Sequence, residues 1–277
     1  TGGCGFIGSH IVEEILKNKK NKVIVLDNLV SGKISNLDVK NKNLKFFKID
    51  VSTYKIKLEK YFKDVDVVFH LAALADIVPS INNPKLYFST NVTGTLNVLN
   101  ACMKNNIKKL VYAASASCYG LPKSFPTDEK NKISLMYPYA LTKKLGEDLI
   151  LHWSQVYKLN VTSLRLFNVF GTRSRTSGAY GAVFGVFLAQ RINNKPLTIV
   201  GNGKQTRDFI YVKDVAEAFL KASELKKSGE IINIGSGKET SVNYIANMIS
   251  DKKVYIPKRP GEPDRSKADI TKAKKIL

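Results

Sequence analysis

Near-continuous apolar runs recur along the chain, each separated from the next by a segment of helical periodicity, and this alternation constrains the fold more than any other feature. The strand candidates are residues 23–26, 44–49, 65–69, 110–114 and 161–166, and helical patterns lie between them at 9–17, 91–105 and 140–157. Strands without a polar face are buried on both sides, and helical crossovers between successive strands make their pairing parallel. The expected fold is α/β, a doubly wound parallel sheet. After Asn168 the texture changes to glycine-rich loops, shorter elements and a basic, proline-containing stretch at 256–265. The expected organisation is therefore a main domain over 1–167 and a smaller C-terminal lobe over 168–277. The segment of about 205–236 is expected to return to the main domain through a strand at 230–234. A further strand is expected ahead of Thr1, and the chain is expected to continue beyond Leu277.

The segment Thr1-Gly2-Gly3-Cys4-Gly5-Phe6-Ile7-Gly8 contains both Gly3-x-Gly5-x-x-Gly8 and Gly2-x-x-Gly5-x-x-Gly8. One glycine permits a tight turn, one lets backbone approach a pyrophosphate, and one lets a helix pack against the sheet. The helix opening near Phe6 and Ile7 carries apolar residues at Ile7, Ile11, Val12, Ile15 and Leu16 and points its N-terminus at the phosphates. About twenty residues on, the 23–26 strand ends in Asp27, where a carboxylate binds both ribose hydroxyls and repels a 2′-phosphate. The pattern is that of a Rossmann-type sheet, with NAD favoured over NADP. Asp50-Val51 and His70-Leu71-Ala72-Ala73 follow two further strands, at the edge where ligands of such sheets bind. Asp50 serves equally well as a helix cap. His70 reads as a packed histidine, and the small Ala72 and Ala73 as a place of close approach to a ligand.

Tyr139 and Lys143 stand four residues apart, on one face of a helix that starts behind Pro138. A free phenol titrates near pH 10 and is a poor base at neutrality; an adjacent ammonium lowers that value. A tuned Tyr139 can take a proton from a hydroxyl while hydride leaves the same carbon. The Ser115-Ala116-Ser117-Cys118-Tyr119-Gly120 segment directly follows the 110–114 strand. It brings a hydroxyl to the same sheet edge, where Ser115 can bond the oxygen of the reacting carbon.

Together these motifs resemble the extended short-chain dehydrogenase/reductase family, and within it the NAD-dependent nucleotide-sugar 4-epimerases. The matching pieces are TGGCGFIGSH, VLDNL with Asp27-Asn28, HLAA, the Asn91-Val92-x-Gly94-Thr95 helix start, SASCYG, YALTK, LRLFNVFG, RDFIYVKDV and RPGEP. The resemblance implies that NAD is held by Gly2, Gly5, Phe6, Ile7, Gly8, Asp27, Asn28, Asp50, Val51, Leu71, Ala72, Ala73 and Asn91, together with Tyr139 and Lys143. Tyr139 would be the general base and acid, Lys143 its electrostatic partner and Ser115 the hydroxyl orienting C4. Asn168, Arg207 and Arg259 would grip the nucleotide or diphosphate, since an arginine fork matches phosphate oxygens; Arg259 also reads as part of a solvated basic tail. Ser117 would contact the sugar. Related dehydratases carry an Asp-Glu pair after the hydroxyl residue, and related decarboxylases a Glu. Ala116, Ser117 and Cys118 stand here instead, which favours simple 4-epimerisation. By the same resemblance Ser266 walls the sugar pocket, and a small residue there admits N-acetylhexosamines as well as plain hexoses. A uronate epimerase or decarboxylase, another nucleotide-sugar short-chain dehydrogenase, and a non-catalytic NAD-binding regulator are the alternatives. The family's habit of pairing through helices near 91–106 and 139–157 implies a homodimer.

The formal charge of +21 raises a nucleic-acid or membrane partner. The excess is lysine spread over loops and helix ends (Lys17, Lys19, Lys20, Lys22, Lys40, Lys42), with no stripe interleaving arginine and aromatic residues, so neither partner is expected. Cys4, Cys102 and Cys118 are scattered and odd in number, the pattern of reduced thiols in a cytoplasm, without disulfide or metal site. No run of about 18 apolar residues is present.

Overall fold

The computed structural model describes residues 1–54, 56–174, 176, 183–258 and 263–277. In chain order its first half comprises α1 (Phe6–Lys17), β1 (Val23–Asp27), β2 (Leu44–Lys48), β3 (Val67–His70), α2 (Ile77–Asn82), α3 (Pro84–Tyr87), α4 (Gly94–Lys104), β4 (Lys109–Ser115) and α5 (Pro138–Tyr157). The second half comprises β5 (Val161–Leu166), β6 (Asn168–Phe170), α6 (Val183–Ile192), β7 (Leu197–Val200), β8 (Thr206–Arg207), β9 (Phe209–Tyr211), α7 (Val212–Glu224), β10 (Glu230–Ile234), β11 (Thr240–Ser241), α8 (Val242–Ile249), β12 (Lys253–Ile256) and α9 (Thr271–Ile276).

Two parallel sets form the main sheet, β1–β2 and β10–β5–β4–β3. The backbone of Thr1 and Gly2 lies between them: Gly2 N–H donates to Leu26 O (2.8 Å), and Leu71 N–H donates to Thr1 O (3.1 Å). Strand order therefore runs outward in opposite directions from the glycine turn. Sheets of this kind open a ligand crevice at such a reversal.

Side chains of β4 alternate between the two faces. Leu110, Tyr112 and Ala114 join a core with Val98, Leu99 and Ile150 from α4 and α5. Val111 and Ala113 join Ile11, Phe219 and Ile232 from α1, α7 and β10. Both faces are covered, which is why these strands read as unbroken apolar runs. Ala273, Ile276 and Leu277 pack on the α1–α7 side. A separate core of Phe187, Leu197, Ile199, Val242, Ile245 and Ala246 joins α6, α8 and β7, and β12 pairs with β7.

Most elements differ from their sequence-based bounds by one to three residues, and two of the differences have a clear local cause. The third strand starts at Val67, because Val65 N–H is bonded to Phe62 O (3.2 Å) in a turn that holds Asp64 at φ 59°. The helix expected from Asn91 begins earlier and is interrupted. Asn83 caps α3 by accepting from Leu86 N–H (3.3 Å), and a π-helical turn over Phe88–Thr93 links α3 to α4. Such single-turn expansions recur at functional sites. Asn91 lies inside this one and clamps Leu74, accepting from its N–H (2.8 Å) and donating to its carbonyl (3.0 Å).

The three cysteines are buried and free. Among the described residues no helix is long and apolar enough to cross a membrane.

Candidate active site

The glycine turn divides its labour by position. Gly2 sits at φ +73°, and a Cβ on it would fall 2.6 Å from Ala72 N, so the turn presses against the residues after β3. A Cβ on Gly8 would fall 2.2 Å from Gly2 O, so α1 docks directly on the turn. A Cβ on Gly5 would meet only Gly2 O, at 3.2 Å, and otherwise open space. Gly5 is also the N-cap of α1, and no side chain caps the helix. The first-turn N–H groups of Phe6 and Ile7 therefore face outward with the positive end of the helix, a geometry that fits a pyrophosphate. Gly8→Ala should push α1 off the turn, lower dinucleotide affinity at least about tenfold and cost about 1–3 kcal/mol of stability. Equilibrium dialysis and denaturant unfolding check both effects.

Asp27 closes β1 beside this turn and is 7% exposed. Its carboxylate accepts from Cys4 N–H (2.9 Å) and Leu29 N–H (2.8 Å), which fixes both oxygens and leaves each a lone pair for a ribose hydroxyl. Asn28 donates to Asp50 Oδ2 (3.2 Å), and Asp50 Oδ1 accepts from the N–H (2.9 Å) and hydroxyl (2.6 Å) of Ser52. Burial opposes ionisation of Asp50, but Ser52 and Asn28 together outweigh it and hold the carboxyl below its ordinary range. Asp50 thus closes a local turn, which corrects the helix-cap alternative: the carboxylate is satisfied two residues on, before any helix begins. Val51 is buried against Gly94, and its carbonyl accepts from Asn97 (2.9 Å).

His70 is 1% exposed, with Nδ1 bonded to Thr1 Oγ1 (2.7 Å) and Nε2 to Thr95 Oγ1 (2.9 Å). Burial pushes its pKa well below the usual histidine value, so it is a neutral packed ring. Leu71, Ala72 and Ala73 continue from it half-buried.

Ser115 ends β4, and Tyr139 lies in the first turn of α5, where Pro138 starts the helix and Tyr139 N–H donates to Ser80 Oγ (3.1 Å). The Ser115 hydroxyl faces the Tyr139 phenol. Burial raises the phenol above its ordinary pKa, and the Ser115 hydroxyl pulls the other way. Ser115 Oγ also accepts from Ser117 N–H (3.2 Å), while the Ser117 hydroxyl is buried with no hydrogen-bond partner among the described residues. Lys143, one turn beyond Tyr139, is 4% exposed; burial lowers its pKa to about 7 against the pull of Glu147. Ser115 at the end of β4 and Tyr139 and Lys143, one turn apart at the start of α5, thus lie toward the carboxyl edge of the sheet. Asn91 ties its π-helical turn to the same helix by donating to Thr142 Oγ1 (3.0 Å).

Behind these residues lies an ion pair that sequence reasoning missed. Glu147 Oε1 accepts from Arg165 Nη2 (2.7 Å), and Oε2 accepts from Arg165 Nε (3.0 Å) and Ser163 Oγ (2.7 Å). Arg165 Nη1 continues to the Tyr119 hydroxyl (2.9 Å), which donates to Asn233 Oδ1 (2.7 Å). The signal was available: an arginine inside a strand covered on both faces must have a buried partner.

The substrate candidates are less closely gathered. Asn168 starts β6 with an exposed side chain. Arg207 is buried and donates through Nη1 to the carbonyls of Thr206 and Pro263, both at 2.8 Å. Arg259 lies outside the described residues. Ser266 is half-buried beside Arg265, whose guanidinium grips Glu239 (2.9 and 2.7 Å) and covers the Phe125 ring. A cavity of about 260 Å³ is lined by Val200, Gly201, Asn202, Gln205, Lys258, Pro263 and Asp264.

A glycine turn at the reversal of the sheet, with Ser115, Tyr139 and Lys143 toward the same sheet edge, is the geometry of a dinucleotide-dependent enzyme. The chain belongs to the NAD dependent epimerase/dehydratase family, whose model matches residues 1–235. It is 40% identical to a putative UDP-glucose 4-epimerase of Methanocaldococcus jannaschii, over 100% of this chain and 90% of that one. Among solved structures it resembles UDP-N-acetylglucosamine 4-epimerase from Methanobrevibacter ruminantium M1 in complex with UDP-N-acetylmuramic acid. That match has TM-score 0.94 and 39% identity, covering 99% of this chain and 89% of the other. It also resembles UDP-glucose 4-epimerase from Thermotoga maritima with UDP-glucose, at TM-score 0.92 and 35% identity, covering 99% and 90%. The protein is thus an extended short-chain dehydrogenase/reductase with a Rossmann-type sheet and NAD as its cofactor.

Proposed function

We propose that the protein is a 4-epimerase of a UDP-hexose or UDP-N-acetylhexosamine. What supports this reading is Ser115 facing the Tyr139 phenol, with Lys143 one turn on along α5, while the residues after Ser115, namely Ala116, Ser117 and Cys118, offer no carboxylate for dehydration. Gly2, Gly5 and Gly8 with the Phe6 and Ile7 amides take the pyrophosphate, and Asp27 takes the ribose hydroxyls. Asn28, Asp50, Val51, Leu71, Ala72 and Ala73 flank that crevice, and Asn91 holds its floor. When bound, NAD accepts the C4 hydride of the sugar and returns it. Tyr139 takes the C4 hydroxyl proton as the hydride leaves and gives it back on return. The Lys143 ammonium favours the phenolate, and Ser115 orients the C4 oxygen. Ser117, buried without a partner among the described residues, is available to a sugar hydroxyl. Inversion requires the 4-keto sugar to turn over while the diphosphate stays held, a task assigned to Asn168, Arg207 and Arg259. The 168–277 lobe, less the segment of about 205–236, carries most of that hold. A homodimer through α4 and α5, in the cytoplasm and free of nucleic acid and membrane, completes the reading.

The NAD-loaded protein should interconvert UDP-glucose with UDP-galactose, or the N-acetyl pair, without added reductant. A chromatographic panel of UDP-, dTDP- and GDP-sugars tests this. Carbon dioxide release from UDP-glucuronate would replace the reading with a decarboxylase, and no conversion of any sugar would end it. Ser266→Tyr should lower kcat/KM for N-acetylhexosamines about tenfold or more, while plain hexoses change little; equal responses would remove Ser266 from the pocket wall.

A further inference from the structure

Lys143 must carry a positive charge in a place that penalises one, and among the described residues its Nζ has no hydrogen-bond acceptor. The titratable groups that act on it are Glu147 on its own helix, His70 from β3 and Tyr112 from β4, with Tyr139 one turn back along α5. Glu147 is committed to Arg165 and Ser163, and His70 is neutral. Tyr112 is different: Nζ stands 4.2 Å from the centroid of its ring, and the ring is 1% exposed. Its hydroxyl donates to the Lys143 carbonyl (3.3 Å), so ring and lysine are tied at both ends. The helix makes room for this. A Cβ on Gly146 would fall 2.2 Å from the Tyr112 hydroxyl oxygen, so glycine lets the ring lie under α5.

We propose that Tyr112 is a positioning residue for the reaction: the face of its ring is the electrostatic platform that keeps the Lys143 ammonium charged and in place beside Tyr139. A ring face attracts a cation through its quadrupole, and the attraction is greatest where water is excluded. Burial brings Lys143 down to about 7 although Glu147 opposes it; the ring face, 4.2 Å from Nζ, adds to that opposition. With a neutral Lys143, Tyr139 loses the charge that favours its phenolate. The ring therefore acts on the proton transfer through Lys143 without touching the sugar. This rests on the Tyr139–Lys143 chemistry proposed above.

The test compares Tyr112→Phe, which keeps the ring, with Tyr112→Leu, which removes it, and with 3,4,5-trifluorophenylalanine at position 112, which keeps the shape but weakens the quadrupole. Each is assayed as NAD-loaded protein. Tyr112→Phe should hold kcat within about twofold. The leucine and trifluoro forms should lose about tenfold or more in kcat with KM little changed. Their pH–rate profiles should narrow, the acid limb moving up and the basic limb down by about one unit, since a tenfold change in the charged fraction is one pH unit. The Tyr139 phenolate absorbance, taken as the difference from the Tyr139→Phe protein, should titrate about one unit higher in both forms. That readout does not depend on turnover, so it separates failure of this proposal from failure of the epimerase reading. Should Tyr112→Leu not fold, the trifluoro form decides. An unmoved phenolate titration in the trifluoro form, or a Tyr112→Phe protein as impaired as it, would overturn the proposal.

Discussion

Tyr139→Phe is expected to cut turnover by about 10²- to 10⁴-fold with NAD still bound. The change deletes a single oxygen. The ring keeps its place because Pro138 and the bond from Tyr139 N–H to Ser80 set the start of α5 independently of the phenol. What disappears is the oxygen that faces Ser115 and that, in the proposed reaction, exchanges a proton with the sugar. In the proposed reading NAD is held mainly by Gly2–Gly8 and Asp27, with Tyr139 one contact among many, so NAD content should not change. Steady-state kinetics and the NAD released on denaturation check the two halves together. Undiminished turnover would remove Tyr139 from the chemistry, and loss of NAD would make it a cofactor anchor.

The second large effect is on stability. Glu147→Gln leaves the Arg165 guanidinium, 3% exposed, without its carboxylate. Breaking such a pair from one side costs about 3–5 kcal/mol, because the remaining charge is desolvated and uncompensated. The cost should appear in denaturant unfolding at saturating NAD, which keeps the ligand's own stabilisation constant. Joint replacement of Glu147 and Arg165 by methionine should restore much of it, because no charge is then stranded. A loss below about 1 kcal/mol in the single variant would show that the pair is not held as tightly as its two short bonds imply.

These two residues mark where the sequence is legible and where it is not. Tyr139 is readable because helical spacing, a preceding proline and a downstream lysine are local properties of the chain. The 23–26 and 110–114 strands are readable because each is covered on both faces and leaves an unbroken apolar run. Glu147 and Arg165 lie 18 positions apart on different elements, and only the packing of α5 over β5 makes them partners. Asp208 is a similar case. Its carboxylate accepts from Ser236 N–H (2.6 Å), Gly237 N–H (3.0 Å) and Ala268 N–H (2.9 Å), drawing together three segments that carry no periodic signal of their own. The short strands β6, β8 and β11 have two or three residues each, too few for a period to emerge. The π-helical turn at Phe88–Thr93 escapes for another reason: one extra residue per turn shifts the register, so the apolar spacing fits a helix that starts only partway through it, at Asn91.

The most direct test of the redox route to epimerisation uses UDP-glucose and UDP-N-acetylglucosamine, each carrying deuterium at C4, with the NAD-loaded protein and no added reductant. At least one substrate should yield its C4 epimer with the deuterium still at C4, because the hydride that leaves is the one that returns. No epimer from either sugar, or an epimer carrying a solvent proton at C4, would contradict it.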